Sequence, residues 1–324
     1  MGSNPTLSAK SHRPCASRAV HLPAGMTTPP SYASFETQRV GGVLGAVISG
    51  LDLSQPLSNR QFDDLQHALV SHEVVFFRDQ ALDSEQHLAL AARFGDISLY
   101  PIEKFFGSED PGHQIIVDDR DNPPGTDLWH TDVSWLPKPP KLAFLTVLEV
   151  PDHGGDTLWL STTAGYRALS PPMRSFFDGL EAVHSCWESF VEIAERKSGI
   201  EGLAEQLRAA YPEVVHPLVR THPDSGKRSL FVTDRGVMHR IHGMREAEGN
   251  ALLDFLEAHL AQPRFQLRWR WRPGDLAIWD ERTTLHRGLS DHFPQRRVIR
   301  RCTVDGEVPF FDPNRAPSPD YRLD

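Results

Sequence analysis

Cysteine is scarce in this chain. Cys15, Cys186 and Cys302 are its only three in 324 residues, and they lie far apart. That spacing excludes a disulfide framework and a cysteine-rich zinc site, and it fits a reducing cytoplasm. Long apolar runs are missing too. None approaches the ~20 residues a helix needs to span a bilayer, so no membrane partner is expected. There is also no long basic cluster. Lys and Arg number 34 against 43 Asp and Glu, a net charge of −9, which argues against nucleic acid as a partner. Acidic residues are themselves absent from one stretch, since none precedes Glu36. Residues 1–34 are rich in Ser, Pro and Ala and read as a disordered tail. An acid-poor transit peptide is the other reading, without a clear amphipathic arginine pattern behind it, and Met26 is an alternative start. Residues 35–324 are enough for a single domain, and 39% hydrophobic content over the chain supports a sizeable core.

What is present is organised around Asp127-Leu-Trp-His-Thr-Asp-Val-Ser-Trp135. It puts His130 and Asp132 two residues apart. In an extended strand such residues leave the same face, so an imidazole and a carboxylate converge on one point. They make two thirds of the two-histidine, one-carboxylate triad that leaves positions open on iron(II). His286, in Trp279-Asp-Glu-Arg-Thr-Thr-Leu-His-Arg-Gly288, is the candidate third ligand. The pattern alone is weak. There are 16 histidines, and His-x-Asp recurs at His222-Pro-Asp224. There Pro223-Asp-Ser-Gly226 has turn chemistry and sits between two short β-like runs, so it reads as a hairpin tip. No turn chemistry separates His130 from Asp132. On these residues alone, a metal pair and a satisfied strand pair are equal readings.

Downstream, Arg297-Val-Ile-Arg-Arg-Cys-Thr303 reads as a strand. Period-two geometry puts Arg297, Ile299, Arg301 and Thr303 on one face. Two arginines on the same face as an apolar residue are costly unless they meet anions, and a guanidinium is the bidentate partner of a carboxylate. An iron triad beside an inward arginine suits an α-keto diacid: the keto and carboxylate oxygens chelate the metal, and the far carboxylate takes the arginine.

The chain resembles the TauD/TfdA family of iron(II)- and 2-oxoglutarate-dependent dioxygenases over roughly residues 38–310. The resemblance rests on an ordered set: Asp121-Asn-Pro-Pro124, Trp129-His-Thr-Asp-Val133, Gly154-Gly-Asp-Thr-Leu-Trp159, Pro217-Leu-Val-Arg-Thr-His-Pro223, Arg268-Trp-Arg-Trp-Arg-Pro-Gly-Asp275, Ala277-Ile-Trp-Asp280 and Gln295-Arg-Arg297. It implies a double-stranded β-helix, or jelly roll, with His130, Asp132 and His286 as iron ligands. Thr157 and Arg297 then match the groups that hold the distal carboxylate of 2-oxoglutarate, and Arg301 a second arginine turned towards substrate or cosubstrate. Iron(II), 2-oxoglutarate and dioxygen are the implied cofactor and cosubstrates, with succinate and carbon dioxide released as a substrate C–H is oxidised. A homo-oligomer acting on a small molecule is expected. Arg301 suggests an anionic substrate: a sulfonate, sulfate ester, carboxylate or natural-product intermediate. Tyr100, Thr126 and Phe190 are the substrate-lining candidates. Tyr100 opens an aromatic loop, running to Gly112, that reads equally as a lid and as an anchored loop. Thr126 replaces the asparagine of the taurine enzyme, which argues for a substrate other than taurine. Phe190 lies in a polar, helical stretch over residues 185–210, where a surface anchor is the plainer reading.

The rest of the chain supports a mainly β fold with helices. Ser58-Asn-Arg-Gln61 and Asp83-Ser-Glu-Gln86 start helices. Val74-Val-Phe-Phe77 is a buried strand, and Lys141–Val150 a long core strand. Leu252, Phe255, Leu256 and Leu260 form the apolar stripe of a helix over residues 245–261. Gln266–Trp271 alternates strictly, Leu267, Trp269 and Trp271 on one side and Arg268 and Arg270 on the other. Short β-runs with helices before and between them argue for a sandwich or jelly roll. Two rival functions are a His/His/Asp zinc hydrolase, which needs no inward arginine, and a non-catalytic jelly-roll binding module, which predicts a broken triad.

Overall fold

The period-two runs become strands and the capping motifs become helix starts. A computed structural model describes residues 32–101, 112–186, 202–318 and 321. In chain order it contains β1 (Glu36–Arg39), β2 (Ala46–Ser49), α1 (Asn59–His72), β3 (Val74–Phe77), α2 (Ser84–Ala92), β4 (Ile97–Ser98), β5 (Gln114–Asp118), β6 (Leu142–Glu149) and β7 (Thr157–Ser161). Then come α3 (Thr162–Ala168), α4 (Pro171–Phe177), β8 (Glu181–His184), α5 (Leu203–Ala210), β9 (Val214–Pro217), β10 (Val219–Thr221), β11 (Arg228–Leu230) and β12 (Met238–Ile241). The last are α6 (Glu246–Leu260), β13 (Gln266–Trp269), β14 (Leu276–Asp280), β15 (Thr284–Gly288) and β16 (Arg297–Val304). The architecture is mainly β with helices, as the sequence predicts.

Alternation sorts these strands into layers. The main sheet runs β1-β2-β3-β14-β6-β16-β4, with β5 on the same edge of β16 as β4, opposite β6. Facing it is a small sheet, β13-β7-β15. Val74, Phe76, Ala143, Leu145, Ala277, Trp279 and Ile299 of the main sheet pack against Trp159, Leu267 and Trp269 of the small one. The intervening residues Val75, Phe77, Leu142, Phe144, Ile278, Cys302 and Val304 point the other way and are covered by α1 and α2. On the far side of the small sheet, Leu160 and Leu285 pack under α6. Each large apolar side chain buried in these layers contributes about 1.5–3 kcal/mol. Both sheets thus present one inner face to a shared interior, and that interior holds the site.

The helix starts follow from local chemistry. Ser58 and Asp83 each make a reciprocal capping box with the glutamine three residues on. The stripe of α6 differs in one respect from the periodic reading: Leu253, Leu256 and Leu260 are buried, whereas Phe255 is 41% exposed and lies over Phe177. Heptad-like spacing cannot separate neighbouring positions about 100° apart when the covering element is a short helix at one end. The predicted hairpin tip at Pro223–Gly226 does join β10 to β11, with Gly226 at φ +67°. The predicted helical stretch over residues 185–210 contains α5, Ser185 and Cys186 at its start are not helical, and its residues 187–201, with residues 102–111 of the Tyr100–Gly112 loop, lie outside the described residues.

Candidate active site

A short turn delivers His286. The Asp280 carboxylate accepts from the Arg282 N–H at 2.9 Å and from its guanidinium at 2.8 and 2.7 Å. Its backbone carbonyl accepts from the Thr284 hydroxyl at 2.9 Å. His222 packs on the same carboxylate, Nε2 to Oδ2 2.9 Å, so this histidine is a support for the turn and no ligand partner of Asp224. The turn starts β15 in register with β7, opposing His286 to Trp159, so that its ring enters the interior. His130 joins the other side of β15 through an isolated bridge to His286, with mutual N–H···O bonds of 3.0 and 2.8 Å. Residues so paired present side chains on one face, and the ring centroids are 4.1 Å apart. Asp127 locks the pairing, accepting from Arg287 Nε at 2.6 Å and from the Ser290 N–H and hydroxyl at 3.0 and 2.5 Å.

Asp132 arrives differently from the strand geometry predicted for it. The extended conformation ends at Thr131, and Asp132 begins a turn whose next residue, Val133, sits at φ +46°. A β-branched residue there is strained by about 1–3 kcal/mol. The Glu281 carboxyl over-determines the turn. It accepts from the Thr131 hydroxyl at 2.7 Å, the Asp132 N–H at 3.1 Å and Trp279 Nε1 at 2.7 Å. Asp132 Oδ1 comes to lie 3.9 Å from His130 Nε2 and 3.8 Å from His286 Nε2. Within each residue one donor atom faces the others, all within 4.8 Å.

The donor set fits a metal ion. The His130 Nδ1–H donates to the Leu128 carbonyl at 2.9 Å, which turns Nε2 towards Asp132. Burial pushes the Asp132 carboxyl up, but Arg301 and the two histidines outweigh it and hold the group ionised well below the usual carboxylate range. Burial, followed by the neighbouring His130, pushes the His286 imidazole well down, towards the neutral form that ligates. Two imidazoles and one carboxylate converged on one point are the donor set of the iron(II) facial triad. The exposures are low: Asp132 is 6% and His286 7% exposed.

Strand β16 supplies the cations. Arg297 and Arg301 face the interior, while Arg300 turns outward to Leu82 and Ser84, as period two requires. Arg301 pairs with Asp132 Oδ2. Arg297 is 3% exposed. One of its terminal nitrogens lies 3.5 Å from Thr157 Oγ1, which also accepts from Trp271 Nε1 at 2.9 Å. The other faces Asp118 at 3.3 Å, its register partner on β5. Its Nε is buried with no hydrogen-bond partner among the described residues, a costly state that a carboxylate acceptor would relieve. Gly155, at φ +67°, leaves the room: a Cβ there would meet Arg297 Cδ at 3.2 Å. Thr126 lies beside the same guanidinium, across Gly288, whose N–H donates to the Thr126 carbonyl at 3.1 Å. Tyr100 packs with Val133, Trp135, Cys186 and Val237, next to the Asp132 turn. Phe190 lies outside the described residues.

Six of the residues singled out in the sequence, His130, Asp132, His286, Thr157, Arg297 and Arg301, therefore converge on one interior region. Glu281, Asp118 and Asp127 were not singled out. Asp127 had one signal, its place at the head of the His130 motif. Glu281 and Asp118 are carboxylates like 41 others, and only their burial against Asp132 and Arg297 separates them from solvated acids.

Comparison with known proteins gives the class. Residues 36–303 match the family described as taurine catabolism dioxygenase TauD, TfdA family. An α-ketoglutarate-dependent sulfate ester dioxygenase of Pseudomonas putida is 35% identical over 292 residues, covering 88% of this chain and 94% of that protein. A crystal structure of a taurine dioxygenase from Burkholderia xenovorans superposes with a TM-score of 0.72 at 32% identity, covering 88% of this chain and 95% of that one. A structure of AAD-2, solved with Mn(II) and N-oxalylglycine, gives 0.68 at 28% identity over 85% and 98%. The chain belongs to the TauD, TfdA family. It is an oxidoreductase, a dioxygenase that depends on 2-oxoglutarate and works with iron(II) and dioxygen.

Proposed function

We propose that His130, Asp132 and His286 hold the iron, that Arg297 and Thr157 hold the far carboxylate of 2-oxoglutarate, and that Arg301 meets an anionic group of the substrate. The observation that carries this reading is the set of three converged donors together with, on β16 of the facing sheet, a buried guanidinium whose Nε has no hydrogen-bond partner among the described residues. In this reading the two facing sheets are the halves of a double-stranded β-helix, and residues 35–324 act as one catalytic unit. A homo-oligomer in the cytoplasm goes with it. No helix among the described residues is long and apolar enough to cross a membrane.

The bound iron supplies the oxidation: 2-oxoglutarate is decarboxylated to succinate and a substrate C–H is oxidised. The chain's residues supply the rest. His130, Asp132 and His286 would hold the ion as three protein ligands, fewer than iron(II) takes, so positions would remain for cosubstrate and oxygen. Arg297 and Thr157 fix the length and direction of the diacid, so a keto acid without a second carboxylate is a poor fit. Arg301 pairs with Asp132 and offsets its charge, beside the place proposed for the substrate anion. Trp159, Trp269 and Trp279 wall the interior and exclude water.

The substrate is a small organic anion, and sulfate esters are the first class to examine, given the Pseudomonas putida relative. A hydrolase reading is weaker, because a zinc-activated water has no use for Arg297 and Thr157 at the back of the site. The test is succinate release, with oxygen uptake, across alkyl sulfate esters, sulfonates, aryloxy carboxylates and uncharged analogues of equal size. One anionic class should stimulate succinate release well above the substrate-free rate. Equal rates for charged and uncharged analogues would remove the role given to Arg301.

A further inference from the structure

Strand β16 has a second populated face. Opposite Arg297 and Arg301, Cys302 points outward beneath α2, where it meets His87 of α2 and His113, which precedes β5. All three are buried, at 3%, 0% and 5% exposure. His87 Nδ1 lies 3.2 Å from His113 Nε2 and 3.6 Å from Cys302 Sγ, and one donor atom from each residue lies within 4.8 Å of the others. We propose that His87, His113 and Cys302 form a second metal site, separate from the iron triad, that takes zinc(II).

Hydrogen bonding alone accounts poorly for the cluster. His87 Nδ1 has a single in-plane position. Unprotonated, it offers one lone pair to two donors, the His113 N–H and the Cys302 thiol. Protonated, it can donate to only one of them. A metal ion resolves the competition, because each donor then gives its own lone pair to a common centre. The spacing agrees as well. Zinc–nitrogen bonds of about 2.0–2.1 Å and a zinc–sulfur bond of about 2.3 Å at tetrahedral angles put nitrogens about 3.3 Å apart and nitrogen and sulfur about 3.6 Å apart. Two imidazoles and one thiolate are donors of borderline to soft character, which favours zinc over the harder iron(II). Three protein ligands hold zinc with one position left for water. The neighbouring Arg300 guanidinium is already engaged by Leu82 and Ser84. The site would clip α2 to β16 and to the entry of β5, one residue along from Arg301.

Cobalt(II) reports on this site selectively, since the iron triad contains no sulfur. Full-length protein, loaded anaerobically with iron(II), is titrated with cobalt(II) and followed by the near-ultraviolet thiolate-to-cobalt band. The band is expected to saturate at one equivalent in the parent protein, to vanish in Cys302→Ala and to persist in Cys186→Ala. Zinc added first should block it. His113→Gln, which keeps a polar side chain of similar size, is expected to lower zinc affinity at least tenfold and serves if Cys302→Ala does not fold. Absence of the band in the parent protein, or its persistence in Cys302→Ala, would overturn the assignment and leave the cluster a hydrogen-bonded part of the core.

Discussion

Arg297 is a cation almost without solvent, and its value lies in a contact it has yet to make. Burial pulls its guanidinium down, and Asp118 offsets that only in part. Arg297→Ala should raise the KM for 2-oxoglutarate by about 10- to 100-fold, the ~1.5–3 kcal/mol of a charge-assisted contact. Iron affinity should hold. An unchanged KM in steady-state assays would move the anchor to another residue. Glu281 acts through the Asp132 turn, one step back from the proposed ligands. Glu281→Ala removes the acceptor shared by Thr131, Asp132 and Trp279. Iron affinity, read by equilibrium titration, is expected to fall about 10- to 100-fold. The two residues also differ in how far sequence reaches them. Arg297 declares itself through strand parity, because an inward arginine is costly and so informative. Glu281 is invisible until the fold sets it under Asp132. The turn at Asp132 escapes as well, because nothing in Thr131-Asp-Val133 signals a positive φ at valine.

At the scale of elements, β15 carries the most consequence for its length. It places His286, receives His130 across the bridge and ends at Gly288 against Thr126. A Cβ on Gly288 would lie 2.7 Å from the Thr126 hydroxyl and 3.9 Å from the Arg297 guanidinium. Gly288→Ala should therefore reduce kcat/KM for 2-oxoglutarate, with overpacking of about 1–3 kcal/mol, and adding Thr126→Ala should restore most of it. No recovery in the double variant would mean that the clash is with another group. Elements of this kind were readable where one physical signal dominated. Capping chemistry gave the starts of α1 and α2 to the residue, and alternation gave the inner faces of β13 and β16. The face of α6 was readable only in outline. Leu253 and Phe255 compete for the covered side, and what decides between them is the position of α4, a tertiary matter.

For the whole molecule, the fold also buries histidines outside the candidate triad. His72 and His216 are each pushed down to about 4, chiefly by burial. The unfolded chain takes up those protons near pH 6.5 while the folded chain refuses them. Their contribution is thus fully present above pH 6.5 and is lost as pH falls towards 4, at ~1.4 kcal/mol per pH unit for each group. Urea unfolding at pH 7 and pH 5 should differ accordingly, and His72→Gln should flatten the dependence. A stability that stays level down to pH 5 would contradict it. The fold class and the site's outline were legible at this scale because a metal-dependent oxygenase spreads its ligands over segments that each carry a motif. The layer order was not, since it depends on which strands pair across 100 residues or more.

The central claim is that one ion sits on His130, Asp132 and His286 with space left for a keto acid anchored by Arg297. Its most direct measurement is an anaerobic titration of the iron(II)-loaded protein with 2-oxoglutarate, followed by the visible iron-to-keto-acid absorption. That absorption should rise to one equivalent in the parent protein and be absent in Asp132→Ala. Its absence from the parent protein, or an equal signal in Asp132→Ala, would contradict the account.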